Sequence, residues 1–225
     1  MTDARGDAAV EHDPLDGDDR LPEYFGEAWQ ALDGFRTLLV REGVLRGLIG
    51  PREVGRLWAR HLLNSAAAVQ FLPDGGRIID LGSGAGLPGI VVAAMRPRAE
   101  VVLLEPMERR TTWLTEVAAE LSLANVTVLR GRAQDVQGDV VADVVTSRAV
   151  ASMEKLYRWS GPLLRVGGEL VALKGERAQE EVDAAVKVGA RSGFSPASVT
   201  LAASLAGVEP TRVVRATRDG VARVR

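Results

Sequence analysis

The chain has 225 residues, 28 basic and 30 acidic side chains for a net charge of −2, and 46% hydrophobic residues. That length suits one well-packed domain with a smaller appendage. Cysteine is absent, which excludes disulfides, thiolate nucleophiles and cysteine-ligated metals, and no apolar run approaches the roughly 18 residues of a membrane span. The opening "MTDARGDAAVEHD" resembles neither a signal peptide nor a basic transit helix, so the expected compartment is the cytoplasm.

Charge is unevenly spread. Residues 1–20 hold seven acids and two arginines, a net of −5, which leaves 23 acids against 26 bases, a net of +3, in the remainder. This aromatic-free start, rich in Gly and Asp, is expected to be a disordered acidic tail. Residues 21–72 then read as a helical extension. In "PREVGRLWARHLLNSAAAVQFL", Pro51 can open a helix, and Val54, Leu57, Trp58, His61 and Leu62 fall on one apolar face.

The pattern changes at "PDGG", and residues 73–225 alternate short apolar strands with helical stretches. "RIIDLG" is a strand and "GIVVAAMR" a helix; "EVVLLEP" is a strand and "ERRTTWLTEVAAELS" a helix. "VTVLRG" is a strand followed by a short helix, "VADVVTSRA" a strand, and 152–165 a helix. "GELVALKG" is a strand, "AQEEVDAAVKVGA" a helix, and "SVTLAASL" and "TRVVRATRD" are the last two strands. Strands buried on both faces and separated by helices predict an α/β, doubly wound, mostly parallel sheet. In such sheets ligands lie beyond the carboxyl ends of the strands. Those ends carry "DLGSGAG", "LLEP", "RGRAQD", "TSRA" and "LKGE".

The stretch "IIDLGSGAGLPGI" fits two glycine fingerprints. Gly84 to Gly89 matches the dinucleotide pattern G-x-G-x-x-G, with Glu105 placed as a ribose acid. Asp80-Leu-Gly-Ser-Gly-Ala-Gly matches the acid-x-G-x-G-x-G loop of S-adenosylmethionine enzymes. Two features favour the second. The strand is expected to end at Asp80, before Gly82, and a carboxylate at the loop mouth would repel a pyrophosphate while attracting an ammonium and a sulfonium. A dinucleotide, or a structural turn holding no ligand, stays as an alternative.

"DLGSGAGLPG" with "LLEP…RR", "RGRAQD", "SRAVA" and "LKG", preceded by "RHLLNS", resembles the ribosomal RNA small subunit methyltransferase G family, also called glucose-inhibited division protein B, over residues 22–220. Before Pro51 the chain departs from it: "REGVLRGLIG" stands where many members carry "N-x-x-N-L-T". The resemblance implies a class I S-adenosylmethionine-dependent methyltransferase, Rossmann-like, with seven strands whose last pair forms a hairpin. It also implies a substrate, a guanine of 16S ribosomal RNA methylated at N7, and as partner the small ribosomal subunit or an assembly intermediate.

For the cofactor, Gly82, Ser83, Gly84 and Gly86 are expected to give close backbone approach at the methionine end, with Asp80 setting the electrostatics and Leu87 starting the bordering helix. Glu105 is expected to accept the ribose hydroxyls, and Ala133 and Gln134 flank the adenine, as the resemblance implies. Arg148, where the fourth strand ends, is read as a contact to the cofactor carboxylate or the target nucleotide; otherwise it caps a surface. Arg132 is a weaker candidate of the same kind, and Lys174 a candidate for an RNA phosphate. Spacing alone makes His61 a satisfied buried histidine, while the family pattern turns Arg60 and His61 toward RNA. Arg109 and Arg110 read as helix surface.

Guanine N7 carries a lone pair and no proton, so methyl transfer to it needs no general base, and the chain offers no paired histidines for a metal. The alternatives are a non-catalytic ribosome-binding or assembly factor on the same fold and an NAD-dependent enzyme.

Overall fold

A computed structural model describes residues 12–220. Five strands run parallel: β1 (Gly76–Leu81), β2 (Ala99–Glu105), β3 (Val126–Arg130), β4 (Ala142–Arg148) and β5 (Leu164–Lys174). β6 (Ser198–Ala202) and β7 (Thr211–Thr217) form a closing hairpin in which β7 is antiparallel to both β5 and β6. The sheet order is β3-β2-β1-β4-β5-β7-β6. The chain changes direction of winding between β1 and β4, which opens a crevice at their carboxyl ends. The expected seven-stranded, doubly wound sheet is thus borne out.

Alternate residues of the central strands feed two cores. Ile78, Val101, Leu103 and Val144 face one side, and Ile79, Val102, Leu104 and Val145 the other. α6 (Met153–Ser160) and α7 (Ala178–Arg191) cover the second side through Met153, Leu156, Val182 and Ala185. α4 (Gly89–Met95) and α5 (Glu108–Glu120) cover the first.

The helical extension covers that first side too. It comprises α1 (Arg20–Phe25), α2 (Trp29–Leu38), a 3-10 turn at Pro51–Arg56 and a π-helical turn at Leu57–Leu63 that runs into α3 (Asn64–Val69). Leu32, Phe35, Leu57, Trp58, Leu62 and Leu63 are fully buried in the same core as Ile78 and Val101. The extension completes a sheet face; it is not a separate layer.

Two expectations need correction. The tail expected to be disordered through residue 20 is packed against the extension from Asp13 onward; residues 1–11 lie outside the described residues. Asp13 is buried, and its carboxylate accepts the Trp58 main-chain N–H at 2.8 Å. It caps, from 45 residues away, a helical turn that has no side-chain cap of its own. Asp16 accepts the Trp58 indole N–H at 3.1 Å and pairs with Arg36. The short helix expected after β3 is a run of turns through Gly138, where φ is +89°.

Candidate active site

The loop after β1 is pinned from below. Gly82 and Ser83 donate their N–H groups to the Leu104 carbonyl at 2.8 and 3.2 Å, the Ser83 hydroxyl donates to the Asp80 carbonyl, and the Trp113 indole N–H donates to the Ala85 carbonyl. Gly82 has φ +74° and a Cβ there would lie 2.8 Å from a Val150 methyl, so the loop after β4 closes directly onto it. Gly86, at φ +107°, faces Ile90, Phe35 and Leu114. Its missing side chain therefore makes room for the core, and Gly86 is not among the residues that line the cleft.

Asp80 is also corrected. It is fully buried beneath the loop and does not line the cleft. Its Oδ2 accepts the Gly89 N–H at 3.0 Å, at the start of α4, and its Oδ1 has no partner. Burial pushes its carboxyl up to about 7. The carboxylate is therefore not at the loop mouth, where it was expected to repel a pyrophosphate. At the helix N-terminus where a pyrophosphate would sit, Asp80 takes the Gly89 N–H, and the Ile90 and Val92 N–H groups go to the Gly86 and Pro88 carbonyls. The strand ends at Leu81, still ahead of Gly82.

Above the loop lies a cleft of about 820 Å³. Gly82, Ser83, Gly84 and Leu87 line it, with Glu105 at the end of β2. Glu105 accepts the Gly84 N–H on one carboxylate oxygen and the Met107 N–H on the other, both at 3.0 Å. Arg132, Ala133 and Gln134 line the far wall; Ala133 is buried and the other two are exposed. Sequence reasoning missed Leu48, Ile49, Met107, Arg110 and Trp159 in this wall. Arg110, read as helix surface, lies 3.7 Å from Glu105 with a buried, unpartnered Nε. Its signal was available, since Arg110 lies in the first turn of a helix that starts beside Glu105. Leu48 and Ile49 come from the stretch where the family resemblance lapses, so nothing marked them.

Arg148 stands at the junction of this cleft with a second one of about 1020 Å³, which Arg60, Asn64, Lys174, Arg177 and Arg212 also line. Ala149 follows with φ +55°, an uncommon backbone state for a residue with a side chain, and it turns the chain sharply off the sheet. The guanidinium donates to the Arg60 carbonyl at 2.9 Å and to His61 Nδ1 at 2.7 Å. Burial lowers its pKa to about 10, so it stays charged. His61 lies against Glu53 through Nε2, at 2.7 Å. Burial, then the neighbouring Arg148 charge, pulls the His61 pKa down to about 4. Arg60 itself is exposed. Lys174 is not free for a phosphate: it donates to the Ala151 carbonyl and pairs with Glu181 at 2.7 Å, and only 9% of its side chain is exposed.

Sheet order, glycine loop and strand-end acid together define a class I methyltransferase fold. Two solved structures share it: a predicted O-methyltransferase, Atu636, from Agrobacterium tumefaciens (TM-score 0.55, 22% identity, 72% of this chain and 83% of that one), and TYW2 from M. jannaschii in complex with AdoMet (TM-score 0.52, 17% identity, 68% and 74%). The chain belongs to the rRNA small subunit methyltransferase G family, whose model matches residues 28–205. Relatives bearing the name Ribosomal RNA small subunit methyltransferase G include one from Thermobifida fusca, 54% identical over 167 residues (74% of this chain, 70% of the relative). Another, from Mycolicibacterium paratuberculosis, is 50% identical over 199 residues (86% and 79%).

Proposed function

We propose that the protein methylates N7 of one guanine in 16S ribosomal RNA, with S-adenosylmethionine as donor and no general base. One observation carries this reading: the acid–base side chains lining the cleft beside Arg148 are all hydrogen-bonded within the protein. His61 has both ring nitrogens engaged, Glu53 meets His61, and Glu105 holds two main-chain N–H groups. Alcohol and amine acceptors need a proton removed. Guanine N7 does not.

When bound, S-adenosylmethionine supplies an electrophilic methyl group on a positively charged sulfur. The chain offers it a floor of main chain at residues 82–84 and a strand-end carboxylate. Each Glu105 oxygen keeps a lone pair beyond the one used by Gly84 or Met107, which suits a pair of ribose hydroxyls. Ala133 and Gln134 flank the adenine end, and Leu87 lines the same cleft. Arg148 holds the target nucleotide where the two clefts meet. Arginine ordinarily reads guanine at O6 and N7 together, so here it takes O6 or a phosphate and leaves N7 free. The base must be unstacked to arrive, and the second cleft gives it a way in. Rate enhancement then comes from alignment and from a fixed positive charge near the reacting base.

The substrate is an assembled small subunit or an assembly intermediate. Residues 21–225 carry a net charge of only +3, so the summed attraction for phosphates is small and affinity for bare RNA is weak. To test both points, small subunits from cells lacking the protein are incubated with it and the donor, and nuclease digests are analysed by mass spectrometry. N7-methylguanosine is expected, at a far higher initial rate than on an isolated stem-loop at the same ionic strength. A methyl group on another atom would overturn the chemistry. An equally fast stem-loop would overturn the substrate form.

A further inference from the structure

We infer that His61 and Glu53 are positioning residues for Arg148, forming a relay by which the helical extension holds the guanidinium in the site. The inference rests on the role proposed above for Arg148 and goes beyond it.

A guanidinium has donors only. The 2.7 Å contact to His61 Nδ1 therefore makes that nitrogen the acceptor and places the ring proton on Nε2. Nε2–H then donates to the Glu53 carboxylate at 2.7 Å. The order is fixed end to end: carboxylate, neutral imidazole, guanidinium. A second hydrogen bond, from the other terminal nitrogen of Arg148 to the Arg60 carbonyl at 2.9 Å, prevents rotation about the first. Both acceptors come from adjacent residues of one π-helical turn, Leu57–Leu63, a feature frequent at functional sites. That turn is itself immobilised, since Leu57, Trp58, Leu62 and Leu63 are buried around it.

The alternative is that His61 meets RNA itself. Its engaged nitrogens and its 12% exposed side chain argue against that. Glu53, 31% exposed, acts through the imidazole and does not touch Arg148. Strand β4 delivers the Arg148 backbone, but a side chain with four rotatable bonds needs a second anchor. The extension supplies it across 87 residues of chain.

The test is a double-mutant cycle read in single-turnover methylation of small subunits at saturating donor. His61→Ala is expected to slow the step by at least about tenfold, the scale of a small misplacement in a site, with donor affinity by calorimetry nearly unchanged. In the Arg148→Ala background the same change should cost nothing more, because its only route of action is gone. His61→Asn, whose side-chain oxygen can stand in for Nδ1, should recover much of the rate and covers the case where the alanine variant folds poorly. Glu53→Gln should slow the step less than His61→Ala does. Losses that multiply in the double variant, or a full rate in His61→Ala, would overturn the relay. If Arg148→Ala is slowed but still measurable and the losses multiply, Arg148 keeps its role and the relay alone falls. A full rate in Arg148→Ala removes both.

Discussion

On the β1–β2 side of the crevice the site is made of main chain; on the β4–β5 side it is made of side chains. The first side is a tight loop held by Leu104, Trp113 and Glu105, and most of its contacts lie within about thirty residues of one another along the chain. The second side depends on Arg148, His61, Lys174 and Glu181, joined across up to 87 residues. Main-chain sites are specified by local turn chemistry and tolerate little change in it. Side-chain sites are specified by tertiary packing, and their function can be lost with the fold intact.

Breaking the first side should have the largest effect. Gly84→Asp puts a carboxylate next to Glu105, on a backbone at φ +55°. Calorimetry is expected to show S-adenosylmethionine affinity reduced by at least about 100-fold, in line with two or more kcal/mol for an unpaired like charge at a buried contact. Donor binding close to wild type would mean the loop is not where the donor lies. Arg148→Ala comes next, lowering the methylation rate at least about tenfold while donor affinity and melting temperature stay close to wild type. Arg148→Lys should restore little, because an ammonium cannot meet His61 and the Arg60 carbonyl in one plane.

The pH dependence sharpens the contrast with smaller effects. His61 stays neutral down to about 4, so the single-turnover rate should be flat between about pH 6 and 9. A rate rising through an apparent pKa near 7 would restore a proton-transfer role to the histidine. Stability should respond differently on the two sides. The folded pKa of His61 lies below its ordinary 6.5, so its contribution is present above 6.5 and is lost as pH falls toward 4. That of Asp80 lies above its ordinary 3.8, so its contribution is present below 3.8 and is lost as pH rises through about 7. Asp80→Asn keeps an acceptor for Gly89 and removes the charge. It should raise the melting temperature at both pH 5.5 and pH 8, by a few degrees more at pH 8, because the loss begins above 3.8 and is complete only past about 7. Equal gains at the two values would mean that Asp80 is already ionised in the folded protein at pH 5.5, so that burial does not raise its pKa.

The same contrast explains what the sequence could tell. Alternation of strands and helices, the glycine loop and Glu105 were legible because each is local. The orientation of Asp80 was legible in principle: two residues after Ile78, it points to the face that α4 covers, away from the cleft. Lys174 was not, because its partner Glu181 lies on α7, whose packing no local pattern records. Nor was the role of Asp13 and Asp16. Composition counts them as part of a solvated acidic run, whereas in the fold one caps a distant helical turn and the other pairs with Arg36 and Trp58.

That the extension shares a core with the sheet sets an order of events during synthesis. The apolar face of Leu32, Phe35, Trp58 and Leu62 leaves the ribosome before any strand that will cover it. Asn64 reaches its partner Thr211, at 2.7 Å, only after 147 further residues have been added. At about 5–20 residues per second, that face waits roughly 7–30 seconds for its last neighbour. The nascent chain therefore carries a greasy helical surface for as long as the strands that cover it are still being made.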